Sequence, residues 1–400
     1  PVLVDIPKDV QLQRIAVSHW PEPGCAQAAP APDADKIAQA AQMINQAKRP
    51  ILYLGGGVVH SGASEAAVTL AEQASLPTTM TLMALGAMPV DHPLSLGMLG
   101  MHGAPYTNLA LEECDLLIAV GARFDDRATG KVAAFCPNAA IIHIDIDPSE
   151  LDKIKTAHVG IAGDVGAVLA QLLPQVQASL REDWNQRVAQ LKAERPLQLP
   201  GLDDPRSHYG LVQAVADALD DSAFVATDVG QHQMWVAQAY PLRRPRQWLT
   251  SGGLGTMGFG LPTAIGAALA NPERTVVCFS GDGSILMNIQ EFATLAEAGL
   301  NVKVVLMNNA SLGLVHQQQE LFYGERIFAS RFIAQPDFLQ IARGFRIAEL
   351  DLDAAADPRA ALKQALNAPG PCLIHASIDV KEKVYPMVPP GAANKEMIGG

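Results

Sequence analysis

Aromatic residues are scarce in this chain, 5% of 400, and it has no excess of basic charge, no clustered cysteines and no long apolar run. Each shortage removes a class of function. Lys and Arg number 29 against 41 Asp and Glu, a formal net charge of -12, so no basic stripe can neutralise a phosphate backbone and nucleic-acid binding is not expected. The five cysteines, Cys25, Cys114, Cys136, Cys278 and Cys372, are odd in number and far apart, without the close pairs of disulfide frameworks, metal sites or redox motifs, and read as buried thiols. No stretch approaches the roughly 18 uninterrupted apolar residues of a membrane span. The expectation is a cytoplasmic protein without a membrane segment. What remains, 49% hydrophobic and 18% charged residues, is a globular aliphatic composition long enough for two or three domains.

The chain opens on Pro1 rather than Met, and residues 2–6 read as a buried strand belonging to something upstream, so residues 1–15 are expected to end a truncated N-terminal domain. Residues 16–32, rich in Ala and Pro, read as a linker. Asp33 or Asp35 then caps a helix with Ile37, Ala40, Ala41, Ile44 and Ala47 on one face. Strands at 51–54, 78–82, 116–120 and 141–146 alternate with helices near 63–74, near 105–113 and after Pro148. A polar stretch at 176–206, with Pro196, Pro200, Gly201 and Pro205, separates this series from another, with strands at 223–226, 275–279, 302–307 and 372–378. Short apolar strands alternating with helices give an α/β class: two doubly wound domains with mostly parallel sheets, at 33–175 and 207–378. The last segment, 379–400, is too proline-rich for helix or sheet and too apolar for a free linker, and reads as a lid or packed tail.

The strongest chemical signal is Gly281-Asp282-Gly283-Ser284, followed by a helix-like stretch, a strand, and Asn308-Asn309. Two strand ends are thereby placed side by side, where open parallel sheets bind ligands. Asp282, the amide of Asn309 and a backbone carbonyl near Ser311 offer the hard oxygens that Mg²⁺ takes. Gly281 and Gly283 allow close approach of the backbone to a diphosphate. In the first domain Gly55-Gly56-Gly57, Gly121-Ala122-Arg123 and Asp145-Ile146-Asp147-Pro148 close three further strands. On their own these turns indicate a nucleotide site or no more than sharp strand-to-helix turns. The segment 253–258 fits G-x-G-x-x-G, but no acidic residue ends the next strand at the spacing a ribose would need except Asp282, so it reads as a decoy.

The GDG and NN pair resembles the signature of thiamine-diphosphate enzymes. More narrowly, residues 227–235 (Thr227-Asp228-Val229-Gly230-Gln231-His232-Gln233-Met234-Trp235), 252–258, 97–103 and 121–127 are similar to the acetohydroxyacid (acetolactate) synthase family, catalytic subunit, over essentially the whole chain. The resemblance implies thiamine diphosphate, Mg²⁺ and FAD as cofactors. It places Asp282, Asn309 and the Ser311 carbonyl on Mg²⁺, and Val229, Gly230, Gln231, His232, Gly255, Gly281, Gly283 and Ser284 around the diphosphate, with Met257 wedged under the cofactor. It places Gly55, Gly56, Gly57, Thr81, Leu82, Gly100, Met101, His102, Gly121, Ala122, Arg123, Asp125, Asp145, Ile146, Gly163 and Asp164 around the flavin.

The implied reaction decarboxylates pyruvate and joins its two-carbon unit to pyruvate or 2-ketobutyrate, in branched-chain amino-acid biosynthesis. Arg127 suits a substrate carboxylate because a guanidinium stays charged and binds bidentately; its alternative is an ion pair with Asp125 or Asp126. Met101 and Gln318 are further substrate contacts, Gln318 standing where many family members carry Trp. The resemblance also implies a homodimer with a small regulatory subunit. The activating glutamate of the family falls in its N-terminal pyrimidine-binding domain, so this chain alone is expected to be inactive or nearly so. Competing readings are a pyruvate oxidase or other carboligase of the same fold, an NAD-dependent oxidoreductase built on residues 253–258, and a non-catalytic binding fragment.

Overall fold

The computed structural model describes residues 4–20, 22, 24 and 28–399. Strands β1 (Pro50–Leu54) and β4 (Leu116–Val120) are buried at every position, as strands covered on both faces must be. With β2 (Thr78–Met80), β3 (Ser95–Met98), β5 (Ala140–Asp145) and β6 (Val159–Ala162) they form a six-stranded sheet in the order β3-β2-β1-β4-β5-β6, every pair parallel. The order reverses between β1 and β4, so connections leave their carboxyl ends in opposite directions and open a crevice there. Leu54 pairs with Val120, which sets residues 55–57 beside residues 121–123.

The second sheet repeats the plan. Strands β7 (Phe224–Thr227), β8 (Trp248–Leu249), β9 (Val276–Gly281), β10 (Val302–Asn308), β11 (Ala348–Asp351) and β12 (Cys372–Ser377) lie in the order β11-β12-β10-β9-β7-β8, again all parallel. Its reversal falls between β7 and β9. One apolar core runs through both sheets, holding Leu52, Leu54 and Ile118 from the first and Val225, Phe279 and Val305 from the second. The four described cysteines, Cys114, Cys136, Cys278 and Cys372, are buried and unpaired by disulfides, as an apolar role requires; Cys25 lies outside the described residues.

Local signals set most boundaries. Asp33 caps the helix Ala34–Gln46, its Oδ1 accepting from the N–H groups of Asp35 and Lys36 at 3.0 and 3.3 Å. Elsewhere the tertiary context overrides the sequence reading. In the strand expected at 2–6, residues 4–6 are exposed and unpaired and one helical turn, Lys8–Gln11, follows; residues 1–3 lie outside the described set. The helix expected after Pro148 is instead a series of turns leading into β6, with the helix at Val165–Leu172, because Asp164 supplies the cap. The stretch read as a linker at 176–206 contains the helix Glu182–Glu194. Its Trp184 is buried and donates through Nε1 to the Pro50 carbonyl at 2.9 Å, and Arg187 forms a two-pronged pair with Glu113, so the helix belongs to the first sheet's outer layer.

Within residues 384–398, Val384, Met387, Val388, Ala393 and Asn394 are buried. Their backbone crosses the domain junction: the Val388 N–H donates to the Met101 carbonyl at 3.0 Å, Lys131 N–H to the Ala392 carbonyl at 2.9 Å, and Gln238 Nε2 bridges the carbonyls of His102 and Tyr385. This strap holds the loop that carries Met101 and His102 and, through Lys131, the end of the helical turn Asp126–Thr129 that carries Arg127.

Candidate functional site

The reversal between β7 and β9 opens a cavity of about 200 Å³. All twelve residues expected around the diphosphate and cation line it: Val229 to His232, Gly255, Met257, Gly281 to Ser284, Asn309 and Ser311. The turn after β9 is narrow because a Cβ on Gly281 would meet the His232 ring at 2.9 Å. Ser284 Oγ donates to the Val229 carbonyl at 2.7 Å and ties the two strand ends together.

Asp282 is 1% exposed, and its Oδ2 accepts from the Ser311 N–H at 3.0 Å and from Gln335 Nε2 at 2.6 Å. Burial outweighs these bonds and pushes its pKa up to about 6. Among the described residues no Lys or Arg pairs with it, so a divalent cation fits as the group that restores its charge. His232 is held neutral, its pKa pushed down to about 3 by burial, and its Nε2 is buried in the cavity wall without a partner. A polar ligand is what such a wall lacks. Asn309 is held by Gln231, whose Oε1 accepts from Asn309 Nδ2 at 2.9 Å, while Gln231 Nε2 donates to Gln317 and to the Glu382 carbonyl. The residues therefore fit Mg²⁺ and a diphosphate.

The reversal between β1 and β4 opens a larger cavity of about 560 Å³, within the range of cofactor pockets. Gly55 and Gly57 lie against Gly121, and a Cβ on Gly57 would come within 2.7 Å of the Gly121 Cα. Thr81, Leu82, Met101, His102, Gly121 to Arg123, Asp125 and Asp145 complete the expected part of the wall. Four of the expected flavin contacts are not among its lining residues. Gly100 packs on the backbone of Arg127 and Ala128, Ile146 is half exposed, Gly163 lies against Pro32 and Val168, and Asp164 caps the helix Val165–Leu172.

Arg127, Met101 and Gln318 all line the larger cavity. The Arg127 guanidinium reaches the Met101 sulfur at 3.9 Å and Asp126 at 3.9 Å. Both charged side chains are largely exposed, so that pair holds little energy and leaves the guanidinium available. Asp125 is not its partner: that carboxylate accepts the backbone N–H groups of Arg127 and Ala128.

Gly255 and Leu314 line both cavities, so the two lie side by side with these residues as a shared wall. Leu314 was not expected, and nothing in its own residue type marks it. Gln233, also in the larger wall, belongs to the quoted stretch 227–235 and could have been carried with it. Gln317 is 1% exposed and receives Gln231 and the Val384 N–H, while Gln318, one helical step on, points to the cavity. Only the helix orientation separates two adjacent glutamines. The G-x-G-x-x-G segment is a loop whose following helix, Gly260–Ala270, is already served by Asp228: its carboxylate accepts from Val229, Gly258 and Gly260 N–H groups. A dinucleotide diphosphate would need those donors.

Comparison with known proteins agrees with this geometry. Residues 37–172 match the thiamine pyrophosphate enzyme central domain, and residues 228–376 match the thiamine pyrophosphate enzyme C-terminal TPP binding domain. The chain is 62% identical over 399 residues to the acetolactate synthase isozyme 1 large subunit of Escherichia coli (strain K12), covering all of this chain and 71% of that protein. It is 47% identical to the isozyme 2 large subunit of the same organism, covering 72% of it, and 44% identical to the chloroplastic acetolactate synthase 2 of Zea mays, covering 65%. The chain belongs to the thiamine pyrophosphate enzymes and, within them, to the family of acetolactate synthase large subunits.

Proposed function

We propose that this chain carries the cofactor and substrate sites of an acetolactate synthase, which decarboxylates pyruvate and joins the two-carbon unit to a second pyruvate or to 2-ketobutyrate. The observation that carries the reading is the sharing of Gly255 and Leu314 by the two cavities, which brings the diphosphate crevice to the rim where Arg127, Met101 and Gln318 stand. Asp282, Asn309 and the Ser311 carbonyl would hold Mg²⁺; Gly230, Gln231, His232 and Ser284 would surround the diphosphate. Met257 would support the cofactor from below without demanding a hydrogen bond. Thiamine diphosphate, when bound, supplies the electron sink that decarboxylation of a 2-keto acid requires. Arg127 binds and orients the substrate carboxylate, and the apolar wall of Leu314, Met98 and Leu99 excludes water from the reacting centre. FAD would fill the crevice between β1 and β4, close to the backbone at Gly55, Gly57 and Gly121. The large subunit would work as a homodimer with a small regulatory subunit.

The test is acetolactate formation from pyruvate with thiamine diphosphate, Mg²⁺ and FAD, on this chain extended by the N-terminal portion its relatives carry. Acetolactate appearing only when both thiamine diphosphate and Mg²⁺ are present is the expected result. Cofactor binding without carbon–carbon bond formation would reject the reaction while keeping the fold.

A further inference from the structure

The metal carboxylate has a support that lies 53 positions away in sequence. Gln335 sits on an exposed loop, yet its Nε2 donates to Asp282 Oδ2 at 2.6 Å and to Asn308 Oδ1 at 2.9 Å, and its Oε1 accepts from Asn308 Nδ2 at 3.2 Å. Both hydrogens of one amide are thus spent on the two strand ends that frame the cation site. The loop is held in register with the turn that carries Asn309 and Ser311. The Leu312 N–H donates to the Ser330 carbonyl at 2.8 Å, the Phe332 N–H to the Ala310 carbonyl at 2.9 Å, and Ser311 Oγ to the Ser330 carbonyl at 2.6 Å. The Phe332 ring lies over Gly283, where a Cβ would stand 3.4 Å from Cζ.

We propose that Gln335 is a positioning residue for the cation site, fixing the Asp282 carboxylate against the β10 terminus so that its second oxygen is left for the metal. The inference rests on the Mg²⁺ reading given above. The two donors on Oδ2, the Ser311 N–H and Gln335, act together: the backbone donor sets the height of the carboxylate and the amide sets its rotation. A ligand carboxylate without its hydrogen-bonded neighbour loses its orientation, which typically weakens metal binding by about 10- to 100-fold. Because Gln335 is exposed, its own bonds add little to folding, so its effect should appear in metal affinity and not in the stability of the metal-free protein.

The experiment is a Mn²⁺ titration of the full chain at saturating thiamine diphosphate, reading free Mn²⁺ by electron paramagnetic resonance, for wild type, Gln335→Met and Gln340→Met. Gln340 serves as the control because it lies in the helix that follows the loop, Phe338–Gly344, and bonds that helix's own cap, Asp337. Gln335→Met should weaken Mn²⁺ binding by about tenfold or more, with Gln340→Met unchanged and the metal-free melting temperature of both variants unchanged. Equal Mn²⁺ affinity for wild type and Gln335→Met would overturn the proposal. A metal-free melting temperature that falls together with affinity would assign Gln335 a structural role instead, and overturn it too. Absence of Mn²⁺ binding by the wild type would reject the cation site itself, a different failure.

Discussion

Gly121→Ala is the substitution that most directly tests the crevice between β1 and β4. Gly121 has φ +57°, and an added Cβ would lie 2.7 Å from the Gly57 Cα and 2.9 Å from the Val58 N, both backbone atoms that cannot swing aside. Reaching ordinary contact at 3.4 Å means parting the two strand ends by several tenths of an ångström. That shift stretches the bond from the Gly57 N–H to the Gly121 carbonyl, now 3.0 Å, which is worth about 1 kcal/mol. Left-handed backbone costs a further ~1 kcal/mol and the overlap itself ~2 kcal/mol, for a loss on the order of 4 kcal/mol. For a domain of this size that lowers the melting temperature by about 10 °C. Gly62 provides the control, since it has φ +71° and open space around its missing Cβ, so Gly62→Ala should cost only the ~1 kcal/mol of backbone strain. Differential scanning fluorimetry gives the melting temperatures and flavin fluorescence quenching the FAD affinity, which should fall in Gly121→Ala alone. If the two variants melt together and bind FAD equally well, close backbone approach is not what shapes this crevice.

Three further expectations concern the strap, the pocket and pH. His102 is buried, its Nδ1 faces the Pro386 carbonyl at 3.0 Å, and burial pushes its pKa down from 6.5 to about 4. The unfolded chain therefore binds a proton that the folded one refuses, so stability is full above pH 6.5 and is lost as pH falls toward 4, by about 2 kcal/mol at pH 5. Urea denaturation of His102→Gln at pH 7 and 5 should show that much less acid sensitivity than wild type; an identical pH dependence would contradict it. Gln318→Trp should raise the ratio of 2-ketobutyrate to pyruvate used as acceptor by about tenfold, because an indole wall rewards the extra methylene where an amide does not; a competition assay giving an unchanged ratio refutes this. Asn394 is buried and donates through Nδ2 to the Ala128 carbonyl at 2.8 Å, beside Arg127. Asn394→Ala should cost about 1–2 kcal/mol and raise KM for pyruvate severalfold with kcat little changed, whereas a fall in kcat alone would mean the strap does not act through Arg127.

Much of the fold was legible because a strand covered on both faces reads as a near-continuous apolar run, and β1, β4, β9 and β10, despite Lys303 in the last, announce themselves in that way. The helix Glu182–Glu194 was not, since its polar exterior hides the three residues, Trp184, Val188 and Leu191, that a neighbouring layer buries. Of the twelve residues around the smaller cavity, Asp282, Asn309, Gly281 and Gly283 were legible from their own chemistry at strand ends in a parallel sheet, whereas Gly230, Gln231, His232, Ser284 and Met257 came with the family resemblance. Gly100, Gly163 and Asp164 do not line the larger cavity, and their roles in this fold are a close backbone contact, a packing contact and a helix cap, as glycines and caps close strand ends whether or not a ligand lies beyond them.

The sequence by itself pointed to the α/β class, the two strand-end crevices and the hard oxygens of Asp282 and Asn309 at one of them, because backbone freedom at glycine and side-chain chemistry are properties of residues. Tertiary structure alone decided that the two crevices share Gly255 and Leu314 in their walls, that Gln317 is buried while Gln318 lines the cavity, and that Gln335 reaches Asp282. Those facts depend on the angle at which one helix or loop packs against another. Packing angles follow from the whole set of buried contacts and from no single stretch of chain.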